Sequence, residues 1–300
     1  MQLDNATLGE IEKHAVELAR GAGRILTGHF GKALEIEFKA DDKTNPVSQA
    51  DKESEEYLKS AIKSRFPDHG ILGEEGTDVG QSGSDLLWVL DPLDGTLNYI
   101  NGLPIYSVSI GVLLRGEPVV GSIWVPSPAR SDGSVYHARR GHGAYIDGTP
   151  TSIRKNPAPQ PGQLAVMPGP FRRLFRRKAG PKAHAGETRG LGSVSYEMTL
   201  VTSGVLQYAL FASPGVWDVA AGIVLVREAG GAALTYNRRR NRWQDMPPFP
   251  VGAPENGNGS ADLRKWSAPV IVGNRELVEY LANFLKPGWF ARLIRRIKRG

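Results

Sequence analysis

Apolar residues recur at helical spacing near the start of the chain. Leu8, Ile11, Ala15, Leu18, Ala22 and Ile25 fall on one face with charged residues between them, the pattern of an amphipathic helix. It predicts a helix over 7–29. Tyr57, Leu58, Ala61 and Ile62 mark a second, over 47–66, with Pro46 suited to its start. Further helices are expected over 193–205, 217–229 and 274–285. Short apolar runs predict strands over 33–39, 86–91, 106–114, 117–125, 207–211 and 232–236. Gly116-Glu117 and Gly121 punctuate a hairpin over 106–125. This alternation of elements predicts an α/β arrangement. The boundary between two subdomains is expected near 150–160, where Asn156-Pro-Ala-Pro-Gln-Pro-Gly162 interrupts the pattern. That gives an N-terminal part over 1–155, a C-terminal part over 156–285 and a tail over 286–300. Pro247 to Gly259, rich in Pro, Gly and Asn, reads as a mobile insertion. No internal repeat is visible.

One apolar run, Leu86 to Leu90, ends at Asp91-Pro92 and continues as Leu93-Asp94-Gly95-Thr96. That order suggests a buried strand delivering two carboxylates to its end, with a helix starting behind them. Proline cannot continue a sheet ladder, so the chain is expected to turn at Pro92 and expose the Leu93 carbonyl. Gly95 leaves room for a ligand and Thr96 suits a helix start. Carboxylates and a backbone carbonyl are hard oxygen ligands for Mg²⁺, and N–H groups of a new helix turn suit phosphate. Asp-Pro and Asp-Gly are also ordinary turn pairs, so the segment gains weight from three others. Asp51 lies within the second helix. Glu74 and Glu75 stand between Gly73 and Gly76 after a short apolar run. Asp218 opens the 217–229 helix, where Ala220, Ala221 and Gly222 permit close packing and Gly230-Gly231 fits its stop. Singly, these read as a solvated acid, a charged turn and an acid favoured by the helix dipole.

Together, the four segments resemble the inositol monophosphatase family, Mg²⁺-dependent and lithium-sensitive phosphatases related to fructose-1,6-bisphosphatase. The likeness is carried by Asp91-Pro-Leu-Asp-Gly-Thr96 and Trp217-Asp-Val-Ala-Ala-Gly222, with Gly73-Glu74-Glu75 upstream, and runs to about Leu285. It implies a layered αβαβα sandwich, α/β (α+β) in class, of two subdomains: a large, mostly antiparallel sheet in the first, a second sheet in the other, and a metal site between them. Glu74, Asp91 and the Leu93 carbonyl would bind one Mg²⁺, and Asp91, Asp94 and Asp218 a second. A third, weaker ion would use Glu74 and waters. Asp51 and Thr96, with Glu74 as a further catalytic residue, would orient and deprotonate an attacking water. The Gly95 and Thr96 N–H groups would hold phosphate, with Asp94 beside it and Ser193 at the substrate rim.

The implied activity is hydrolysis of inositol-1-phosphate or a related sugar phosphate, in a homodimer. Two alternatives stay open. One keeps the chemistry and changes the substrate to fructose-1,6-bisphosphate or a nucleotide 3′-phosphate. The other is a non-catalytic scaffold acting through the basic tail. Inositol-specific members carry a carboxylate seven positions before the Trp-Asp aspartate, where this chain has Phe211. An apolar ring cannot accept hydrogen bonds from a polyol, though a slipped alignment would bring Ser213 to that place. Two basic runs, Phe171 to Lys178 and Arg238 to Arg242, read either as solvated surface or as a seat for a second phosphate.

Composition changes the picture at three points. The net charge of +6 comes from 37 basic and 31 acidic residues. Lys286, Arg292, Arg295, Arg296, Lys298 and Arg299 account for all of that excess, so the body is neutral and no nucleic acid partner is expected. Trp289, Phe290, Leu293, Ile294 and Ile297 share a helical face in that tail. It reads as an interfacial helix for anionic lipid, as a strap docked on the protein or as a disordered basic end. The absence of cysteine excludes disulfides and a thiol nucleophile and fits a reducing cytoplasm. The N-terminal helix is no signal peptide, and no apolar run reaches the roughly 18 residues of a membrane span. Clustered carboxylates raise one another's pKa. Mg²⁺ binding should therefore tighten as pH rises, with a neutral-to-alkaline activity optimum.

Overall fold

In the computed structural model, residues 3–32, 36–38, 46–75, 84–167, 175–177, 186–251 and 263–287 are described. Helix α1 (Asn5–His29) starts where the Asp4 side chain accepts the Thr7 N–H at 2.7 Å. Strands β1 (Ile36–Phe38) and β2 (Pro46–Ser48) form a short antiparallel ribbon, and β2 runs directly into α2 (Gln49–Arg65). Next come β3 (Gly70–Gly73), β4 (Leu86–Asp94), the short helix α3 (Thr96–Ile100), β5 (Ser107–Leu114), β6 (Glu117–Ser127), β7 (Arg130–Arg139), β8 (Ala144–Ile146) and β9 (Thr149–Thr151). β3 to β9 form one seven-stranded sheet in chain order. β3 and β4 are parallel, and every later pair is antiparallel.

The second half contributes β10 (Leu164–Val166), β11 (Phe175–Arg177), β12 (Glu187–Arg189), α4 (Val194–Thr202), β13 (Tyr208–Phe211), α5 (Val216–Glu228), β14 (Ala232–Asn237), β15 (Arg242–Asp245), β16 (Val270–Gly273), α6 (Arg275–Phe284) and β17 (Leu285–Pro287). Six of these strands form a second sheet in the order β12-β10-β13-β16-β14-β15, and β11 pairs with β17 alone. The last strand of the first sheet ends at Thr151 and the second sheet begins at Leu164.

Helices α1 and α2 cover the outer face of the first sheet, α4 and α5 lie between the sheets, and α6 packs on the second. This is the expected αβαβα layering. Three apolar clusters fill the three gaps that matter: under α1 and α2, around α4 and α5, and beneath α6. A sheet covered on both faces cannot show polar alternation, and β5 is buried from Ser107 to Leu113.

Close contact between α5 and the first sheet depends on glycine. Gly111 and Gly121 face each other across the β5–β6 ladder. A Cβ at Gly111 would lie 2.8 Å from the Ala220 Cβ, and one at Gly121 would lie 2.3 Å from the Ala221 carbonyl oxygen. The backbone of α5 therefore rests on the sheet itself.

The expected helices appear within a few residues of their observed limits, and the 106–125 hairpin turns through Arg115 (φ 50°) and Gly116 (φ 84°), the paired positive angles of a tight hairpin turn. The strand expected over 33–39 is present at Ile36–Phe38. Several strands had no counterpart in the expectations, including β7, whose sequence is largely polar, and β16. The expectation at Pro92 needs correction. The chain does not leave the ladder there; β4 runs on to Asp94. Asp91 pairs with Ser109 and Asp94 with Ser107, so one residue is extra and the register shifts. Proline's missing N–H is tolerated inside such a bulge, beyond the last β3 partner at Leu90.

Residues 252–259 of the expected insertion, most of the 171–178 basic run and the tail beyond Pro287 lie outside the described residues. Among the described residues, no helix is long and apolar enough to cross a membrane.

Candidate metal and catalytic centre

The bulge in β4 decides the geometry of the site. In a regular strand, residues three apart face opposite sides of the sheet. One extra residue between Asp91 and Asp94 puts both carboxylates on the same side. Ser109, the cross-strand partner of Asp91, donates its hydroxyl to the Trp217 carbonyl at 3.1 Å. That bond sets the first turn of α5 over β4 and brings in Asp218. Ligand oxygens of Asp91, Asp94 and Asp218 lie within 4.8 Å of one another. Two segments that read separately as a strand end with a turn and as a helix start thus meet at one point.

Each carboxylate is oriented by its own donors. Asp91 accepts the Leu93 N–H at 3.1 Å. Asp94 Oδ2 accepts the Ser193 hydroxyl at 2.8 Å and the Ser195 N–H and hydroxyl at 2.6 Å each. Ser107 bridges the two serines, 3.0 Å from Ser193 and 2.7 Å from Ser195. Asp218 accepts the Gly215 N–H at 2.7 Å across its own helix start. Glu74 continues the β3 line, its N–H donating to the Leu90 carbonyl at 3.1 Å. Its side chain stands outside the tightest group, but its charge acts on Asp51, Asp91 and Asp218. Arg264 crosses from the second half to donate to the Gly73 carbonyl at 2.7 Å and the Glu74 carbonyl at 3.4 Å.

Electrostatics test whether these residues suit a cation. Burial, then repulsion from Glu74, Asp94 and Asp218, pushes the Asp91 carboxyl well above its usual range. Burial, then Asp94 and Glu74, does the same to Asp218. Burial also raises Asp94, against the opposing pull of the serine hydrogen bonds. Side chains that repel one another this strongly, all with hard oxygen donors, fit a divalent cation that supplies the missing positive charge.

Asp51 stands apart in kind. It is fully buried at the third position of α2 and accepts both the N–H (2.9 Å) and the hydroxyl of Ser48 on one oxygen. Its other oxygen lies 3.2 Å from the Thr96 hydroxyl, which also lies 3.0 Å from the Leu93 carbonyl. Burial is the main cause that pushes its pKa up to about 6, with Ser48 and Thr96 opposing. Gly95 sits between Asp94 and Thr96 at φ 92°, a left-handed angle that favours glycine. A Cβ there would also crowd the Ile105 carbonyl and the Ser193 Cβ at 3.0 Å.

The family model for inositol monophosphatases matches residues 7–267. The chain belongs to the inositol monophosphatase family. It is a phosphatase of that family, a group of phosphoric monoester hydrolases. A fructose-1,6-bisphosphatase/inositol-1-monophosphatase of Aquifex aeolicus is 32% identical over 225 residues, 71% of this chain and 81% of that protein. A histidinol-phosphatase of Chlorobaculum parvum is 35% identical over 232 residues, 76% of this chain and 86% of that one. The solved inositol monophosphatase of Anabaena (Nostoc) superposes with a TM-score of 0.68 at 26% identity, covering 92% of this chain and 95% of its own.

Sequence reasoning missed several groups at the centre. Ser195 completes the donor set on Asp94, Ser107 ties the two donor serines together, and Ser48 holds Asp51. Ser48-Gln-Ala-Asp51 does carry a local signal, the capping-box spacing of a hydroxyl residue three before an acid. Phe211 is buried in the apolar cluster between the sheets, in the company of Val216 and Val219, and Ser213 is exposed. The Arg238–Arg242 run forms the exposed β14–β15 turn. That turn is at the opposite edge of the second sheet from β12, the strand that leads to Ser193.

Proposed function

We propose that this chain is a Mg²⁺-dependent phosphomonoesterase that hydrolyses a small phosphorylated polyol or sugar, inositol-1-phosphate or a close relative of it. The convergence of Asp91, Asp94 and Asp218 within 4.8 Å carries this reading. Mg²⁺ held by these carboxylates, Glu74 and the Leu93 carbonyl would lower the pKa of a bound water and offset charge on the phosphoryl and leaving oxygens. The chain's own groups do the rest. The Thr96 hydroxyl orients the water, accepting its proton while passing its own to Asp51. A carboxylate with a pKa of about 6 is a base suited to neutral pH. The Gly95 and Thr96 N–H groups face the phosphoryl oxygens as preorganised donors, and Ser193 borders the substrate.

A second substrate reading, a sugar bisphosphate, is favoured by the double name of the Aquifex relative. The proposal extends to a cytoplasmic homodimer inhibited by lithium. It also extends to a basic tail that touches anionic lipid, since β11–β17 pairing sets Phe175–Arg177 beside Leu285–Pro287, where that tail starts. Replacing Trp289 and Phe290 with serine should abolish sedimentation with anionic liposomes if the tail makes that contact.

The direct test is phosphate release from inositol-1-phosphate, fructose-1,6-bisphosphate, a nucleotide 3′-phosphate and histidinol phosphate, with Mg²⁺, with chelator and in Asp94→Asn. Mg²⁺-dependent release, fastest on a polyol or sugar ester and lost in the variant, is expected. Release that is indifferent to chelator, or absent from every ester, would overturn the proposal.

A further inference from the structure

Ahead of α4, Leu191-Gly192-Ser193 forms a strap that crosses the end of β4. Ser193 reaches Asp94 Oδ2 from this strap at 2.8 Å. Two side chains on different helices grip the strap by its backbone. Glu197 Oε1, on α4, accepts the Leu191 N–H at 2.6 Å and the Gly192 N–H at 3.2 Å. Asn98 Nδ2, on α3, donates to the Leu191 carbonyl at 2.7 Å and to the Ile105 carbonyl at 2.7 Å. Leu191 is therefore held at both its donor and its acceptor. Gly192 adopts φ 86°, and a Cβ there would stand 3.1 Å from Asn98 Nδ2, so the strap has no slack on that side.

The two gripping residues are tied to the two helix starts that flank Asp94. α3 begins just after Gly95, and the first turn of α4 supplies the Ser195 N–H and hydroxyl to Asp94. Glu197 is only 4% exposed. Burying a carboxylate is costly unless it is hydrogen-bonded, and the partners of this one are the strap amides. Nothing in its position calls for a group that touches substrate.

We propose that Glu197 and Asn98 are a pair of positioning residues that lock the Leu191–Ser193 strap, fix Asp94 through it and so set the cation affinity of the centre. The inference rests on the metal-centre reading above. The locked strap also holds Ser193 at the substrate rim, so loosening it reaches the substrate as well as the cation.

The experiment is calorimetric titration of Mn²⁺ into the full chain as wild type, Glu197→Gln, Glu197→Ala, Asn98→Ala and the double alanine variant, with thermal melts to check folding. Phosphatase kinetics then separate kcat from KM. Wild type is expected to bind. Glu197→Ala should weaken Mn²⁺ about 10–100-fold, the usual loss when a group supporting a ligand is removed, and should raise substrate KM more than it lowers kcat at saturating metal. Glu197→Gln keeps a carbonyl oxygen for both amides and should stay within about threefold of wild type. Asn98→Ala should weaken binding in the same sense, and the double variant should lose less than the two single losses combined, because both act on one strap.

Wild-type affinity in Glu197→Ala would overturn the clamp, as would a Glu197→Gln loss as large as that of alanine, which would assign the effect to charge. If Glu197→Ala fails to fold, Asn98→Ala decides, and unchanged Mn²⁺ affinity there overturns the proposal. Absence of Mn²⁺ binding in wild type would sink the metal-centre reading and the clamp with it. A clamp failure alone leaves wild-type binding intact.

Discussion

Asp51 on α2 and Asp218 on α5 occupy equivalent places. Each stands at the third position of its helix, and each accepts the N–H of the residue that caps that helix, at 2.9 and 2.7 Å. A helix start thus fixes both carboxylates by the same local means. Their surroundings then divide them. Asp51 meets the Ser48 and Thr96 hydroxyls and is raised only to about 6. Asp218 meets Asp94 and Glu74 and is raised well above the usual carboxylate range, by burial and like charge together. Backbone geometry supplies the position; the neighbours set the charge, and with it the proposed task, a proton acceptor in one case and a cation ligand in the other.

The comparison breaks first at Asp218. Asp218→Asn keeps an oxygen for the Gly215 N–H, so the fold should survive. Mn²⁺ binding by calorimetry should vanish, and turnover should fall by more than the ~100-fold that loss of a merely supporting group brings. Retention of metal affinity would erase the distinction between the two aspartates. Asp51→Asn should behave otherwise, with kcat down about 10²–10³-fold and metal affinity nearly unchanged, as for a lost general base. Steady-state kinetics beside the same titration would show it.

Stability sharpens the contrast. Asp51 binds its proton more tightly in the folded chain than in the unfolded one, where 3.8 applies. Native protein therefore holds more protons than unfolded protein between pH ~4 and ~6, and stability falls as pH rises through that window. Asp91 and Asp218, raised in the same direction, add to the fall. Metal-free protein should melt at lower temperature at pH 8 than at pH 5. Mg²⁺ at 100 times its Kd should restore about 2.7 kcal/mol, or roughly 5–10 °C. A chelator-treated sample with a flat melting profile would contradict this.

The smallest effect belongs to Ser48→Ala. Loss of its hydroxyl removes ~1 kcal/mol of preference for charged Asp51, so the acid limb of the kcat/KM profile should move up by roughly 0.7 unit.

The motifs around Asp91 and Asp218 were legible because their spacing and composition are local. The small residues of α5 announced close packing before its seat was visible. The bulge at Pro92 was not legible, because it is defined by what β5 places opposite. The roles of Ser195, Glu197, Asn98 and Arg264 were hidden for a related reason: each acts on a partner distant in sequence or through backbone groups that any residue carries. β7 was missed because its polar sequence is overruled by pairing with β6.

The glycine pair under α5 has a consequence for tuning this centre. Asp218 rides on a helix whose height above the sheet is set by two absent methyl groups, at Gly111 and Gly121. A methyl added at either place would act as a shim, lifting Asp218 away from Asp91 and Asp94 while leaving every carboxylate in the sequence. In the proposed metal centre, selectivity between small and large cations would thus shift from beneath the helix, through residues that never meet an ion.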